Sequence, residues 1–245
     1  GMARVMLIGT LNRVMIVEMG VAASLVALMV ALPLVFAPFR ALVGFRSDRH
    51  RSFLGWKRVP YIWLGSWLQF GGLAIMPFSL ILLSGDSNWP AWFSHIAAAL
   101  AFLLVGAGMQ VTQTAGLALA SDLATPASRP RVVALMYVMF LLGMVFSSLL
   151  FGFLLKDFSP VRLIQVVQGA AALTMLFNLL ALWKQEARQP KTKEQLAMEP
   201  IIRFQDSWKQ FAKQDKVMRF LVALGMGTAA FSMQDIILEP YGAEV

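Results

Sequence analysis

Few residues in this chain are equipped for chemistry, and most of them sit inside long apolar runs. Asn12, Arg13 and Glu18 occupy the first run, Gln110, Gln113 and Thr114 the fourth, and Gln234, Asp235 and Glu239 the last. Such groups offer hydrogen bonding, proton exchange, or oxygen ligation of a hard cation such as magnesium. Gln110, Gln113 and Thr114 fall at i, i+3 and i+4, hence on one face of a helix. Asp235 and Glu239 stack at i, i+4, whereas Arg13 and Glu18 point about 140° apart. Each is costly in hydrocarbon unless partnered or turned to a cavity. Two readings stay open: hydrogen bonds that glue helices together, or a ligand or proton site. The two histidines are far apart, His50 in a basic loop and His95 at the start of the fourth run. His95 is either an interfacial residue or an axial ligand to a metal-centred ring. With no Cys, disulfides and thiolate metal sites are excluded. No hydrolytic, phosphate-binding or transition-metal motif is present.

The runs that position these residues match a bilayer, which takes about 20 apolar residues to cross. Of 245 residues, 58% are hydrophobic and 14% charged, and the mean hydropathy is +0.68. That balance points to an all-α polytopic membrane protein. Seven spans follow: a truncated first helix to about Val17, then Val21–Phe45, Val59–Ser84, Ala91–Ser121, Val132–Leu155, Leu163–Trp183 and about Val217–Leu238. The net charge of +8 does not signal nucleic acid, because the basic residues lie in loops. Segments 40–58, 122–131 and 184–219 hold 17 of the 21 Lys and Arg. The positive-inside rule puts those loops, and the N-terminus, on the cytoplasmic side of the membrane.

Composition also divides the chain. Residues 1–183 form a six-helix half with a shortened first helix, 184–216 a polar cytoplasmic linker, and 217–245 the first helix of a second half. The chain thus reads as roughly half of a larger transporter-like protein. In the linker, Phe204, Trp208 and Phe211 lie at helical spacing beside Lys209 and Lys213. A short interfacial helix and a solvated linker both fit that pattern. Small residues four apart, Gly116/Ala120, Gly143/Ser147 and Ser148/Gly152, allow close helix contacts.

The turn after the second span contains Gly44-Phe45-Arg46-Ser47-Asp48-Arg49, a Gly-x-x-x-Asp-Arg pattern. It resembles the loop between the second and third helices of the major facilitator superfamily. Asp48 and Arg49 there resemble that superfamily's conformational latch. Asp122 closes the fourth span on the same side and is expected to contact Arg49 or Arg58.

More specific are Leu11–Glu18, Leu32–Leu42, Leu54–Trp63, Gln113–Ala120, Arg129–Leu135 and Gln234–Gly242. These strings resemble the PucC/LhaA proteins of purple phototrophic bacteria, the bacteriochlorophyll delivery family of the major facilitator superfamily. The resemblance covers almost the whole chain except the linker. It implies a major facilitator fold of twelve helices, seven of them within this chain, and a non-enzymatic role. That role is assembly of light-harvesting antenna complexes, with bacteriochlorophyll as the bound cofactor. Implied partners are membrane lipid, bacteriochlorophyll, antenna polypeptides, and either the reaction-centre complex or bacteriochlorophyll synthase. Candidate pigment contacts are Asn12, Arg13, Glu18, His95, Gln110, Gln113, Gln234, Asp235 and Glu239, with an oxygen on the pigment magnesium and no other metal site. The latch set is Gly44, Asp48, Arg49, Arg58 and Asp122. Two alternatives are a proton-coupled solute transporter, with Asp235 or Glu239 as the proton site, and a permanent structural subunit of the photosynthetic complex.

Overall fold

The computed structural model describes residues 1–50, 55–83, 90–186, 203–214, 216–227 and 230, and among them every regular element is a helix. The chain divides into two compact units, Gly1–Leu196 and Ala197–Val245. That boundary falls inside the expected linker 184–216. The protein is therefore all-α, as its apolar runs require.

In the first unit α1 runs as α-helix over Met2–Val5 and Leu11–Arg13 and as π-helix over Met6–Thr10 and Val14–Glu18. Gly20, at φ +63°, turns the chain after α1, a backbone conformation that glycine adopts without strain. The second helix, α2, spans Ala23–Asp48, with a 3-10 stretch at Leu32–Phe36. Then come α3 (Val59–Leu83), α4 (Ala91–Leu123), α5 (Arg129–Leu154) and α6 (Pro160–Leu182). The helices α2 to α6 are five that are long and apolar enough to cross a membrane. Seven spans were expected. The first, α1, is too short by this measure, and of the seventh only residues 217–227 and 230 are described.

Helix ends depart from the hydropathy limits for local reasons. Ser159 caps α6 by accepting the Arg162 amide at 3.1 Å, and Pro160 supplies a first-turn residue that needs no partner for its nitrogen. The helix α6 so begins three residues before the expected Leu163. At the basic end α2 continues past Phe45, so Arg46 lies on a helix and not in a loop.

One apolar core unites α1 with its neighbours. Ala3, Met6, Leu7, Leu11, Val14 and Met15 of α1 are buried against Val26 and Met29, Leu73–Leu80, Ala98–Val105, Phe151, and Leu163–Ala171. The contributing segments of α3 and α5 lie in their second halves, and those of α4 and α6 in their first. The core therefore sits in the half of the bundle away from the basic loops. Nearer those loops a smaller cluster joins Ile62, Ala115 and Leu119.

Close approach of α3 and α4 depends on glycine, though not at the expected pairs. A Cβ on Gly72 would meet the Val105 nitrogen at 2.8 Å and the Ala101 oxygen at 2.9 Å. One on Gly106 would meet Pro33 of α2 at 2.5 Å. At Gly116, Gly143 and Gly152 a Cβ would meet nothing within 4 Å. Gln69 reinforces the contact by donating to the Gly108 carbonyl at 3.2 Å and Thr112 Oγ1 at 2.8 Å.

In the second unit the described helices are α7, Phe204–Ala212, and α8, residues 216–227.

Candidate functional site

At the basic end of the first unit, four segments meet around Arg58, which is 7% exposed. Each arm of its guanidinium has its own partner. Nε lies 3.0 Å from Asp122 Oδ2, Nη1 donates to Ser47 Oγ at 2.8 Å, and Nη2 pairs with Asp48 Oδ1. Ser47 in turn donates to the Gly44 carbonyl at 2.9 Å. Planar, forked donation of this kind is what arginine offers and lysine does not. Both carboxylates keep about half their surface in water (54% and 55%), so their solvation is only partly lost.

A second carboxylate contact closes the cluster from a distant segment. Glu186, just beyond α6, accepts the backbone amides of Lys57 (2.8 Å), Arg58 (3.1 Å) and Val59 (3.0 Å). They are the Val59 amide, first of α3, and the two amides just before it, none of which has a partner within the helix. A carboxylate there also meets the positive end of the helix dipole. Lys184, in the left-handed region at φ 55°, turns the chain after α6. The cluster thus fastens α2, α3, α4 and the exit of α6 at one end.

Of the two cations expected at Asp122, Arg58 is within reach, and Arg49 lies over the Phe45 ring at 4.4 Å. Gly44 sits beside Thr114, where a Cβ would meet Cγ2 at 3.8 Å. Ser47 and Glu186 were not singled out from sequence. Glu186, an isolated acid at the head of a basic stretch, was the available signal.

The intramembrane candidates are dispersed. On α1, Asn12 is half-buried while Arg13 and Glu18 are exposed. Among the described residues neither Arg13 nor Glu18 has an ion-pair partner. His95 is exposed at the start of α4. Gln110 and Gln113 are half-buried, and the Gln110 Oε1 atom is shut off from solvent with no hydrogen-bond partner. One turn on, Thr114 donates to the Gln110 carbonyl at 2.7 Å and accepts Arg40 Nε at 3.1 Å. Arg40 of α2 is therefore a cation fastened to α4, a contact that the charge-free runs did not reveal. Asn178 donates to Ser66 Oγ at 3.0 Å, a glue contact between α6 and α3. Gln234, Asp235 and Glu239 lie outside the described residues. Among the described residues no three His, Cys, Asp or Glu side chains are placed to hold a metal ion.

The profile of the PUCC protein family matches residues 10–245. The chain belongs to that family. Members of known sequence agree along its entire length. It is 56% identical to a Rhodobacter capsulatus protein described as "Uncharacterized protein in puhA-bchM intergenic region", covering 100% of this chain and 51% of the relative. It is 54% identical to Protein PucC of Rhodovulum sulfidophilum, covering 100% and 55%. With Protein PucC of Rhodobacter capsulatus it shares 50%, covering 100% and 54%. The chain spans about half the length of the curated relatives it matches. No solved structure matches it.

Proposed function

We propose that this multi-pass membrane protein binds bacteriochlorophyll and hands it to nascent antenna polypeptides in the photosynthetic membrane. The family membership places it among PucC proteins, for which the sequence resemblance implies antenna assembly. The structural observation that carries the pigment part is the orphaned Gln110 Oε1. A buried amide oxygen without a partner is costly, and magnesium accepts such hard oxygen ligands. The residues present therefore fit the group. Gln110 would supply an oxygen ligand to the magnesium, Gln113 a further polar contact, and Asn12 a half-buried amide on α1. Arg13, Glu18, His95, Gln234, Asp235 and Glu239 are the remaining candidates. Bacteriochlorophyll, when bound, supplies its ring and magnesium, and the chain's part is to orient the ring and exclude water.

The role is non-enzymatic, and the Arg58 cluster serves it as a latch. Its partners Asp48 and Asp122, together with Glu186, hold the basic end closed on what we take to be the cytoplasmic side. An absorption spectrum of the detergent-purified protein from a phototrophic host tests the reading. Bacteriochlorophyll bands that co-purify are expected. A pigment-free protein that moves a small solute would overturn it. Co-purification with antenna only during assembly separates a delivery factor from a permanent subunit.

A further inference from the structure

The helix α7 presents a face that the proposed function leaves unused. Phe211, Phe204, Trp208 and Ala212 fall within an arc of about 100° when plotted at 3.6 residues per turn. Their rings form a continuous ridge, with centroids of Phe204 and Trp208 6.2 Å apart and those of Trp208 and Phe211 6.1 Å apart. None of the nine residues of α7 is buried, and Trp208 and Phe211 are 45% and 42% exposed. An aromatic ridge left in water is unfavourable at roughly 25 cal/mol per Å² of apolar area.

The other side of α7 carries Asp206, Lys209 and Gln210, and Arg203 and Lys213 flank its ends. Three cations face a single acid. The chain on one side of α7 comes from membrane-spanning α6, which tethers the segment to a bilayer. A low mean hydropathy rules out insertion, whereas one apolar face with basic flanks suits the headgroup boundary. Tryptophan and phenylalanine rings settle at that depth, and anionic headgroups attract nearby Lys and Arg.

We propose that α7 lies in the plane of the membrane surface, its Phe204–Trp208–Phe211 ridge among the acyl chains and Arg203, Lys209 and Lys213 on anionic lipid headgroups. The helix α7 is then a lipid-anchored strap. This inference is independent of pigment binding.

The absence of native Cys allows single spin labels to test it. Ala212→Cys places a label on the ridge side and Gln210→Cys on the polar side. The proteins are reconstituted in nanodiscs of phosphatidylglycerol with phosphatidylcholine, and collision with oxygen is compared with collision with a water-soluble nickel chelate. The oxygen-to-chelate ratio at 212 is expected to exceed that at 210 several-fold. That contrast should collapse when phosphatidylglycerol is omitted, or when Lys209→Gln and Lys213→Gln are combined. Two chelate-accessible labels mean a solvated strap and overturn the proposal. Two labels shielded from both reagents mean packing on protein and overturn it equally. A contrast indifferent to lipid charge overturns the assignment of anionic headgroups.

Discussion

Arg58 and Asp122 stand 64 positions apart in the chain, yet Nε and Oδ2 meet at 3.0 Å. The guanidinium is almost fully buried while the carboxylate is half in water. That asymmetry sets the mutational order. Arg58→Ala leaves Asp48 and Asp122 near each other without their shared cation and takes the donor from Ser47 Oγ. It is expected to cost about 2 kcal/mol, less than a fully buried pair because both carboxylates stay half in water. Asp122→Asn leaves Asp48 in place and is expected to cost about 1 kcal/mol. Thermal unfolding followed by tryptophan emission measures both. Equal losses would count against the fork geometry.

Glu186 offers a different test, because its partners are backbone amides. Glu186→Gln keeps an oxygen acceptor but removes the charge at the α3 dipole, for an expected loss of about 1 kcal/mol. Glu186→Ala removes both and should cost about 2 kcal/mol. Lys184→Gly should act in the opposite sense, since a non-glycine residue in the left-handed region costs about 1 kcal/mol. Unfolding midpoints that leave all three variants level with the parent would refute the Glu186 tie between the exit of α6 and the start of α3.

Five of the seven expected spans were legible in the chain to within a few residues, because lipid leaves apolar length as the controlling variable. Val59–Ser84 was expected and Val59–Leu83 is observed. Ends were less legible, since a helix does not stop where hydropathy does: α2 carries Arg46 beyond its apolar part. The Asp122–Arg58 contact was readable from charges placed at the ends of two spans on one side. Glu186 was not, because its amide partners lie 127 to 129 positions away and have no side-chain signature. Glycine contacts were misplaced for a related reason. Spacing identifies small residues that share a helix face, but which face meets a neighbour depends on packing.

That last point predicts a contrast. Gly72→Ala puts a methyl into the backbone of α4 and is expected to destabilise by about 2 kcal/mol, as overpacking does. Gly116→Ala adds a methyl to open space and should change stability by no more than about 0.5 kcal/mol. Parallel unfolding of the two variants checks this. A larger loss at Gly116 would show the α3–α4 contact to be misplaced.

The side of the membrane is also accessible to experiment. Thr125 lies exposed between α4 and α5, and Asp157 exposed between α5 and α6. The basic-loop asymmetry puts Thr125 on the cytoplasmic side and Asp157 on the other. In the Cys-free background, Thr125→Cys should label only after membrane permeation and Asp157→Cys from outside in intact cells. Labelling of both under one condition would refute the orientation.

Gln110 separates ligand binding from packing by the sign of its effect. Its Oε1 is buried and unpartnered, so in pigment-free protein the amide is a liability. Exchange for an apolar side chain of similar size removes an unsatisfied group, which is neutral or stabilising by about 1 kcal/mol. Gln110→Leu is therefore expected to hold or raise the unfolding midpoint of pigment-free protein. If the oxygen ligates magnesium, the same variant should retain several-fold less bacteriochlorophyll through purification, with membrane level unchanged. Gln110→Glu, which keeps a hard oxygen at the position, should recover part of that retention. A variant that loses midpoint and pigment together would mark Gln110 as a packing residue. One that keeps its full pigment complement would move the magnesium ligand to another of the candidate side chains.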